Sequence, residues 1–329
     1  MRLEHGSLEW NSVDEAYAAV QRGEIATGLQ LLQRESEAGN TDASFELGLW
    51  LLHGQLVRRD LRNARACFGQ AAEGGNGAAK SIYLSLLANG IGGERDWPEA
   101  LRLLRQLSQV QASAAEQLAL LSEMSLDDAG DPCSIPQGER VLDTPQVTLF
   151  RGFASPAECS YLVRVSEPGF QPATVGHVSG GAQQHNQQIR TCDVAAFPWI
   201  AEDLVIQAFN RRIAAASGTS AECGEPLQVL RYRPGQEFKA HRDCLPRGEN
   251  QRVMTMLVYL NDAYEGGETE FLKTGFKIKG SAGDAILFRN ADQAGNPDQD
   301  SLHAGLPVTS GVKLLASRWI RQHPFGSRL

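Results

Sequence analysis

The sequence has no Cys-x-x-Cys pair and no uninterrupted apolar run long enough to span a membrane. Its six cysteines are scattered, which argues against a zinc knuckle or a disulfide framework and favours free thiols. The first residues, Met-Arg-Leu-Glu-His-Gly, lack the apolar segment that a secretory signal needs. Together these absences predict a cytoplasmic protein that does not enter a membrane.

A basic surface is also missing. The net charge is −8, and neither half of the chain carries the excess of lysine and arginine that nucleic-acid binding requires. The hydrophobic content of 42% and charged content of 21% are typical of a globular protein. At 329 residues the chain is long enough for two domains, each with a core of its own.

The first 125 residues repeat themselves at an offset of 36 positions. Apolar residues within a unit, such as Phe45, Leu49 and Leu52, follow helical spacing, and glycines fall where turns are needed. Each unit is therefore predicted to be a helix pair, and the pairs should stack into an α-solenoid because one pair cannot bury its apolar face alone. The recurring residues are Gly39-Asn40 with Gly75-Asn76, Ala43 with Ala79, Gly54 with Gly90, Asp60 with Asp96, and Ala64 with Ala100.

Residues 126–140 are rich in turn-forming and acidic residues and are predicted to link a helical domain, 1–125, to a second domain, 141–329. Ser155 and Pro156 are expected at the N-cap and first position of a helix, and helical spacing also covers 198–215. Short strands without intervening helices then predict an antiparallel sandwich. Strands are expected at 147–150, 227–233, 252–260, 266–272, 276–279, 284–289, 301–308 and 312–320.

Three residues form a candidate metal site. His241 and Asp243 are two positions apart, so in an extended segment both side chains leave the same face. His303, at another expected strand, could supply the third ligand. Two imidazoles and one carboxylate are the ligand set of non-haem Fe(II) oxygenases, although a cupin-like site for another divalent metal is the alternative. Lys313 lies ten residues further on in an apolar run, where a cation suits an anionic co-substrate.

Residues 140–325 resemble the catalytic domain of the prolyl 4-hydroxylase branch of the 2-oxoglutarate- and Fe(II)-dependent dioxygenases. The resemblance implies a double-stranded β-helix, or jelly roll, with flanking helices, and hence an α+β fold for the whole chain. It rests on Tyr232, Gly235-Gln236, His241, Asp243, Val258-Tyr259-Leu260-Asn261, Gly266-Gly267-Glu268-Thr269-Glu270-Phe271, Gly283-Asp284-Ala285-Ile286-Leu287-Phe288, His303-Ala304-Gly305, Pro307, Gly311, Lys313 and Trp319.

The same resemblance implies Fe(II), 2-oxoglutarate and O2 as cofactors, with ascorbate as a candidate reductant. Lys313 would pair with the far carboxylate of 2-oxoglutarate, because an unpaired buried charge is costly. Tyr232, Tyr259 and Thr255 are expected to hydrogen-bond the co-substrate. The reaction would release succinate and CO2 and return a hydroxyl group to the substrate. Since related halogenases replace the carboxylate ligand with a small residue, Asp243 favours hydroxylation over chlorination.

Substrate contacts are expected from Arg190, His177, His185 and Trp319. The polar, glycine-bearing residues 170–192 are interpreted as a lid that closes over substrate, with a plain surface hairpin as the alternative. The chain departs from the family at Phe238, where many members have tyrosine.

Residues 12–123 resemble Sel1-like repeats, a branch of the tetratricopeptide family, which implies binding of a protein partner. Packing against the oxygenase domain, to stabilise it or to form a dimer, is the alternative role. The expected function is hydroxylation of proline or a proline-like cyclic amino acid, either free or within a polypeptide. The alternatives are hydroxylation of another free amino acid in natural-product biosynthesis and a non-catalytic, repeat-containing binding protein.

Overall fold

The computed structural model describes residues 12–173, 189–246, 250–292 and 294–326. Its internal contacts divide the chain into two compact units, and the boundary along the sequence falls between Ala119 and Leu120. The first unit is helical and the second is rich in sheet, so the chain has an α+β fold. Within the described part, no helix has the length and apolarity to cross a membrane. The helices are α1 Ser12–Gln21, α2 Ile25–Glu37, α3 Thr41–His53, α4 Leu61–Glu73, α5 Gly77–Asn89, α6 Trp97–Leu107, α7 Ala112–Glu123, α8 Pro156–Ser166 and α9 Leu204–Ser217.

Helix starts in the first unit reproduce the repeat in the sequence. The side chain of Asn40 accepts hydrogen bonds from the first turn of α3, and Asn76 caps α5 in the same way. Asp60 and Asp96 likewise cap α4 and α6. A capping side chain satisfies a backbone N–H that the helix leaves without a partner. The repeated residues are therefore the ones that begin the helices.

The helix ends repeat as well. Gly54 and Gly90 end α3 and α5 with φ of 67° and 68°, a left-handed conformation that glycine adopts without strain. A Cβ at Gly54 would also lie 2.7 Å from the Cβ of Arg59. Two helix pairs, α3–α4 and α5–α6, thus share one local structure. The Sel1-like resemblance and the solenoid remain predictions.

The second unit is built on one large antiparallel sheet and a smaller one. In the described chain the large sheet has the order β1-β2-β11-β7-β14-β5-β4-β3, and the small sheet the order β10-β9-β12-β6. The remaining two strands, β8 and β13, form a separate pair. The strands are β1 Gly138–Leu142, β2 Val147–Phe150, β3 Gln171–Pro172, β4 Asp193–Phe197, β5 Leu227–Tyr232, β6 Phe238–His241, β7 Arg252–Tyr259, β8 Tyr264–Gly266, β9 Thr269–Phe271, β10 Phe276–Ile278, β11 Ala285–Arg289, β12 His303–Gly305, β13 Val308–Gly311 and β14 Lys313–Arg321.

Side chains alternate along the strands of the large sheet and so project from both of its faces, and both faces are covered by other elements. One face packs on α8 and α9 through residues such as Met256, Phe209 and Leu162. The other face packs on the small sheet through residues such as Leu257 and Phe271. These two facing sheets are those of a jelly roll, and the candidate metal ligands lie on the small sheet and just beyond it.

The predicted start of α8 is confirmed, since Ser155 and Glu158 form a capping box and Pro156 is the first helical residue. Three predicted elements are wrong in extent. The helix expected from residue 198 begins only at Leu204, where Asp203 caps it. The strand expected over 266–272 is interrupted, because Gly266 and Gly267 both have positive φ and turn the chain between β8 and β9. The strand expected over 301–308 is likewise divided between β12 and β13.

Candidate active site

The two histidines of the predicted metal site lie on neighbouring strands. His241 is the last residue of β6 and His303 the first of β12, and the two are direct partners in the antiparallel register. Opposite residues in such a pair project from the same face of the sheet, which brings the imidazoles together. Their ring centroids are 4.3 Å apart. Asp243 follows β6 by two residues and is buried beside them.

The three side chains form one compact ligand set. His241 Nε2 lies 3.5 Å from Asp243 Oδ1, and His303 Nε2 lies 3.8 Å from Asp243 Oδ2. One ligand atom from each residue falls within 4.8 Å of the others. This spacing suits a single ion bound by two imidazoles and a carboxylate.

Backbone contacts orient both imidazoles for metal binding. His241 Nδ1 lies 2.8 Å from the Lys239 carbonyl oxygen, and His303 Nδ1 lies 2.9 Å from that of Ser301. A carbonyl only accepts, so Nδ1–H is the donor in each pair and Nε2 keeps its lone pair. A histidine that ligates a metal characteristically donates its other N–H in this way.

The protonation states also suit a cation. Burial, with the neighbouring His241, lowers the pKa of His303 to about 4, so its imidazole is neutral at neutral pH. Burial raises the pKa of the Asp243 carboxyl, but its contacts with His241, His303 and Thr255 hold the net pKa well below its usual range. The site therefore offers a neutral His303 imidazole and an ionised Asp243 carboxylate, the forms that bind metals.

The residues fit Fe(II) by the chemistry of their donor set, two imidazole nitrogens and one carboxylate oxygen. A cupin-like site for another divalent metal would give the buried cation Lys313 no role. Lys313 is 3% exposed and lines the same cavity. It donates a 2.7 Å hydrogen bond to the Gly267 carbonyl oxygen, and burial lowers its pKa to about 8.

The strand β14 presents Lys313 and Trp319 to one cavity because they are an even number of residues apart. Tyr232, at the end of β5, also lines it, and its hydroxyl is hydrogen-bonded with Arg190 and Cys192. Several further residues that line the cavity were not predicted from the sequence, although the alternation of side chains along β5, β7 and β14 indicates them. These are Leu230, Leu257, Leu315 and Ser317.

Arg190 lies inside the site and not on its surface. It is 5% exposed, its Nε lies 3.3 Å from Cys192 Sγ, and its guanidinium stacks 5.0 Å from the Phe238 ring centroid. Phe238 in turn stacks on His241 with centroids 3.5 Å apart. The residue that departs from the family thus lies between the predicted substrate contact and a metal ligand.

Tyr259 and Thr255, the other two predicted co-substrate contacts, have different surroundings. Tyr259 is fully buried, and its side chain is hydrogen-bonded with Thr269. Thr255 lines the cavity, but its hydroxyl donates to Asp243 Oδ2 at 2.6 Å, a partner that sequence reasoning did not anticipate. Asn290, which donates to Thr255 at 2.7 Å, was missed altogether.

Trp319 lines the cavity with the Arg252 guanidinium 3.7 Å from its ring centroid. Arg252 is fixed by two hydrogen bonds to Glu225, at 2.5 and 2.9 Å. His177 and His185, predicted to touch substrate, lie outside the described residues, as does most of the predicted lid.

Residues 227–321 match the model of the 2OG-Fe(II) oxygenase superfamily. Prolyl 4-hydroxylase 1 of Arabidopsis thaliana is 38% identical over 199 residues, which cover 54% of this chain and 70% of that protein. Probable prolyl 4-hydroxylase 6 of the same plant is 30% identical over 209 residues, covering 56% and 72%. Among solved structures, the 2OG complex of the viral collagen prolyl hydroxylase from Paramecium Bursaria Chlorella virus-1 is 32% identical with a TM-score of 0.44, covering 55% of this chain and 98% of that one. The chain belongs to the 2OG-Fe(II) oxygenase superfamily as a 2-oxoglutarate-dependent dioxygenase with an oxygenase domain of prolyl 4-hydroxylase type.

Proposed function

We propose that this enzyme hydroxylates prolyl residues within a polypeptide, with Fe(II) held by His241, Asp243 and His303 and 2-oxoglutarate paired with Lys313. One observation carries the proposal: the three ligand atoms, within 4.8 Å of one another, share a cavity with a buried lysine. The relatives named prolyl 4-hydroxylase support the choice of proline as the substrate class.

When bound, Fe(II) and 2-oxoglutarate supply the activation of dioxygen, and the co-substrate leaves as succinate and CO2. The chain contributes binding, orientation and exclusion of water. The Lys313 ammonium offsets a carboxylate that would otherwise be buried without a partner. Leucine side chains of β5, β7 and β14 line the cavity and keep its walls apolar, which strengthens that charge pair. These leucines are Leu230, Leu257 and Leu315.

A polypeptide substrate is favoured over a free amino acid by the charges of the site. A free amino acid brings an ammonium group, which needs an anionic partner when it is buried. Among the described lining residues the single carboxylate is Asp243, which the metal would use. Two of the lining residues, Arg190 and Lys313, are permanently or usually cationic. A prolyl nitrogen in a peptide bond carries no charge and needs no such partner.

The substrate class is tested by incubating the enzyme with Fe(II), 2-oxoglutarate and either proline-containing peptides or free L-proline and L-pipecolate. We expect a gain of one oxygen atom in peptides, measured by mass spectrometry, and succinate in equal amount. A gain confined to the free acids would contradict the peptidyl proposal and favour the alternative, in which Arg190 binds the free carboxylate. The Asn210→Ala variant, altered on α9, serves as a control for changes unrelated to the site.

Binding of 2-oxoglutarate is expected to weaken as the pH rises through the pKa of Lys313. A lysine is charged below its pKa, which burial lowers here to about 8 in the protein without co-substrate. The dissociation constant should therefore change little below pH 8 and rise by about tenfold for each pH unit above it. The measurement is titration of 2-oxoglutarate into the Mn(II)-loaded protein at several pH values.

The control for this pH dependence is Lys313→Arg, because a guanidinium does not lose its proton in this range. Its affinity is expected to be lower than that of the wild type, since arginine has a different shape, but independent of pH. The same pH dependence in this variant would contradict the assignment of the titrating group to Lys313.

For the helical unit we propose recognition of a polypeptide, either the substrate itself or a separate partner. The support is the recurrence of caps in α3–α6, which gives two helix pairs with one local structure. Arrays of such pairs offer extended surfaces to other chains. If the unit binds substrate, longer peptides should have a lower KM than short ones around the same proline.

A further inference from the structure

Two buried side chains connect to Asp243 through consecutive hydrogen bonds. Neither has a role in the reaction as proposed above. The Thr255 hydroxyl donates to Asp243 Oδ2 at 2.6 Å, and Asn290 Nδ2 donates to Thr255 Oγ1 at 2.7 Å. The exposed fractions of Asp243, Thr255 and Asn290 are 5%, 1% and 0%. Water therefore does not compete for these hydrogen bonds.

The direction of each hydrogen bond follows from the chemistry of the groups. An ionised carboxylate only accepts, so the hydroxyl of Thr255 must donate to Asp243. Its oxygen is then free to accept, and the group that faces it must be the amide nitrogen of Asn290. The amide oxygen is turned away, and Asn290 Oδ1 is buried without a hydrogen-bond partner in the described chain.

The backbone of Asn290 fixes the same region from a second side. Its N–H donates to the Val253 carbonyl oxygen at 2.8 Å, which ties it to β7, the strand of Thr255. Its carbonyl oxygen accepts from the Cys244 thiol at 2.8 Å, and Cys244 directly follows Asp243. Asn290 thus holds both the strand that supports the carboxylate and the segment that carries it.

We propose that Thr255 and Asn290 are positioning residues that occupy one oxygen of Asp243, so that the carboxylate offers only the other oxygen to the metal. Oδ2 accepts the hydrogen bond from Thr255 and lies 3.8 Å from His303 Nε2, whereas Oδ1 lies 3.5 Å from His241 Nε2. A carboxylate that bound through both oxygens would take up one of the open positions that this type of site keeps for its reaction. The inference rests on the proposed role of Asp243 as a metal ligand.

The test measures binding of Mn(II) alone, by electron paramagnetic resonance of the free ion, in the full-length protein. Loss of an outer hydrogen-bonding partner typically lowers metal affinity by about 10- to 100-fold. We expect Thr255→Val, which keeps the shape but not the hydroxyl, to raise the Mn(II) dissociation constant by about tenfold. Thr255→Ser, which restores the hydroxyl, should remain within about threefold of the wild type.

Asn290→Ala is expected to raise the same constant by about threefold or more, and to add little in the Thr255→Val background, because it acts through Thr255. Asn210→Ala is the matched control. Asn210 is 2% exposed and donates to Glu202 at 2.9 Å on α9. Its replacement should lower thermal stability and leave Mn(II) binding unchanged.

Unchanged Mn(II) affinity in Thr255→Val overturns the inference. It is also overturned if the effects of Thr255→Val and Asn290→Ala on the free energy of Mn(II) binding add fully in the double variant. Unchanged Mn(II) affinity with weaker 2-oxoglutarate binding would instead assign Thr255 to the co-substrate. If Thr255→Val does not fold, an unchanged constant in Asn290→Ala is sufficient to overturn it. A wild-type protein that fails to bind Mn(II), or a His241→Ala protein that binds it normally, would reject the proposed metal site itself.

Discussion

Replacing His241 with alanine is expected to abolish succinate formation while leaving the fold intact. In the proposed site the imidazole is one of three metal ligands. Its removal should weaken Mn(II) binding by more than about 100-fold, which is the upper range for loss of a residue that only hydrogen-bonds to a ligand. The side chain is 15% exposed and stacks on Phe238 at the end of β6, so thermal unfolding is needed to separate a loss of packing from a loss of metal binding. Turnover, Mn(II) affinity and thermal unfolding are the three measurements.

His323→Ala is the matched control, because His323 lies beyond β14 and does not line the cavity. It should match the wild type in all three measurements. Succinate formation by His241→Ala at the wild-type rate would show that the metal is bound elsewhere.

Lys313→Met is expected to raise the KM for 2-oxoglutarate by about two to four orders of magnitude. Leaving one charge of a buried pair without its partner costs about 3–5 kcal/mol, and each 1.4 kcal/mol corresponds to about tenfold in affinity. In the absence of 2-oxoglutarate, the same substitution should not destabilise the protein. Because burial lowers the pKa of Lys313, folding disfavours its charged form at neutral pH. Methionine of similar length should therefore preserve or increase the melting temperature.

Lys279→Met is the control for this variant, since the Lys279 ammonium contacts the Tyr264 carbonyl oxygen and does not line the cavity. It should bind 2-oxoglutarate like the wild type. Normal affinity in Lys313→Met would contradict the pairing and assign the far carboxylate to Arg190, the other strongly basic residue of the lining. Isothermal titration of the Mn(II)-loaded proteins separates these outcomes.

Much of the site could be read from residue spacing. Even-numbered separations in extended segments predict a shared face, and both the pair His241 and Asp243 and the placement of Lys313 with Trp319 depend on that rule. The start of α8 was predictable for a similar reason, because a cap and its proline act over only a few residues. Local rules of this kind need no knowledge of how distant segments align.

The partners of Thr255 could not be predicted, because they depend on long-range register. Thr255 on β7 pairs with Phe288 on β11, and this alignment brings Asn290, two residues beyond, to the Thr255 hydroxyl. Nothing in either segment fixes that register by itself. The break in the strand expected over 266–272 has a different origin. Glycine tolerates both extended and left-handed backbone, so the sequence alone did not decide the conformation of Gly266 and Gly267.

Because His241 pairs directly with His303, metal binding at the proposed site depends on the alignment of their strands. If β6 slipped by one residue along β12, the side chain of His241 would point to the opposite surface of the sheet. A molecule misaligned in this way would have no complete ligand set. Since the ion binds only the aligned molecule, loading with metal would enrich the correctly folded population by mass action. Iron supply would then influence how much of the protein reaches its native arrangement, in addition to how fast it turns over substrate.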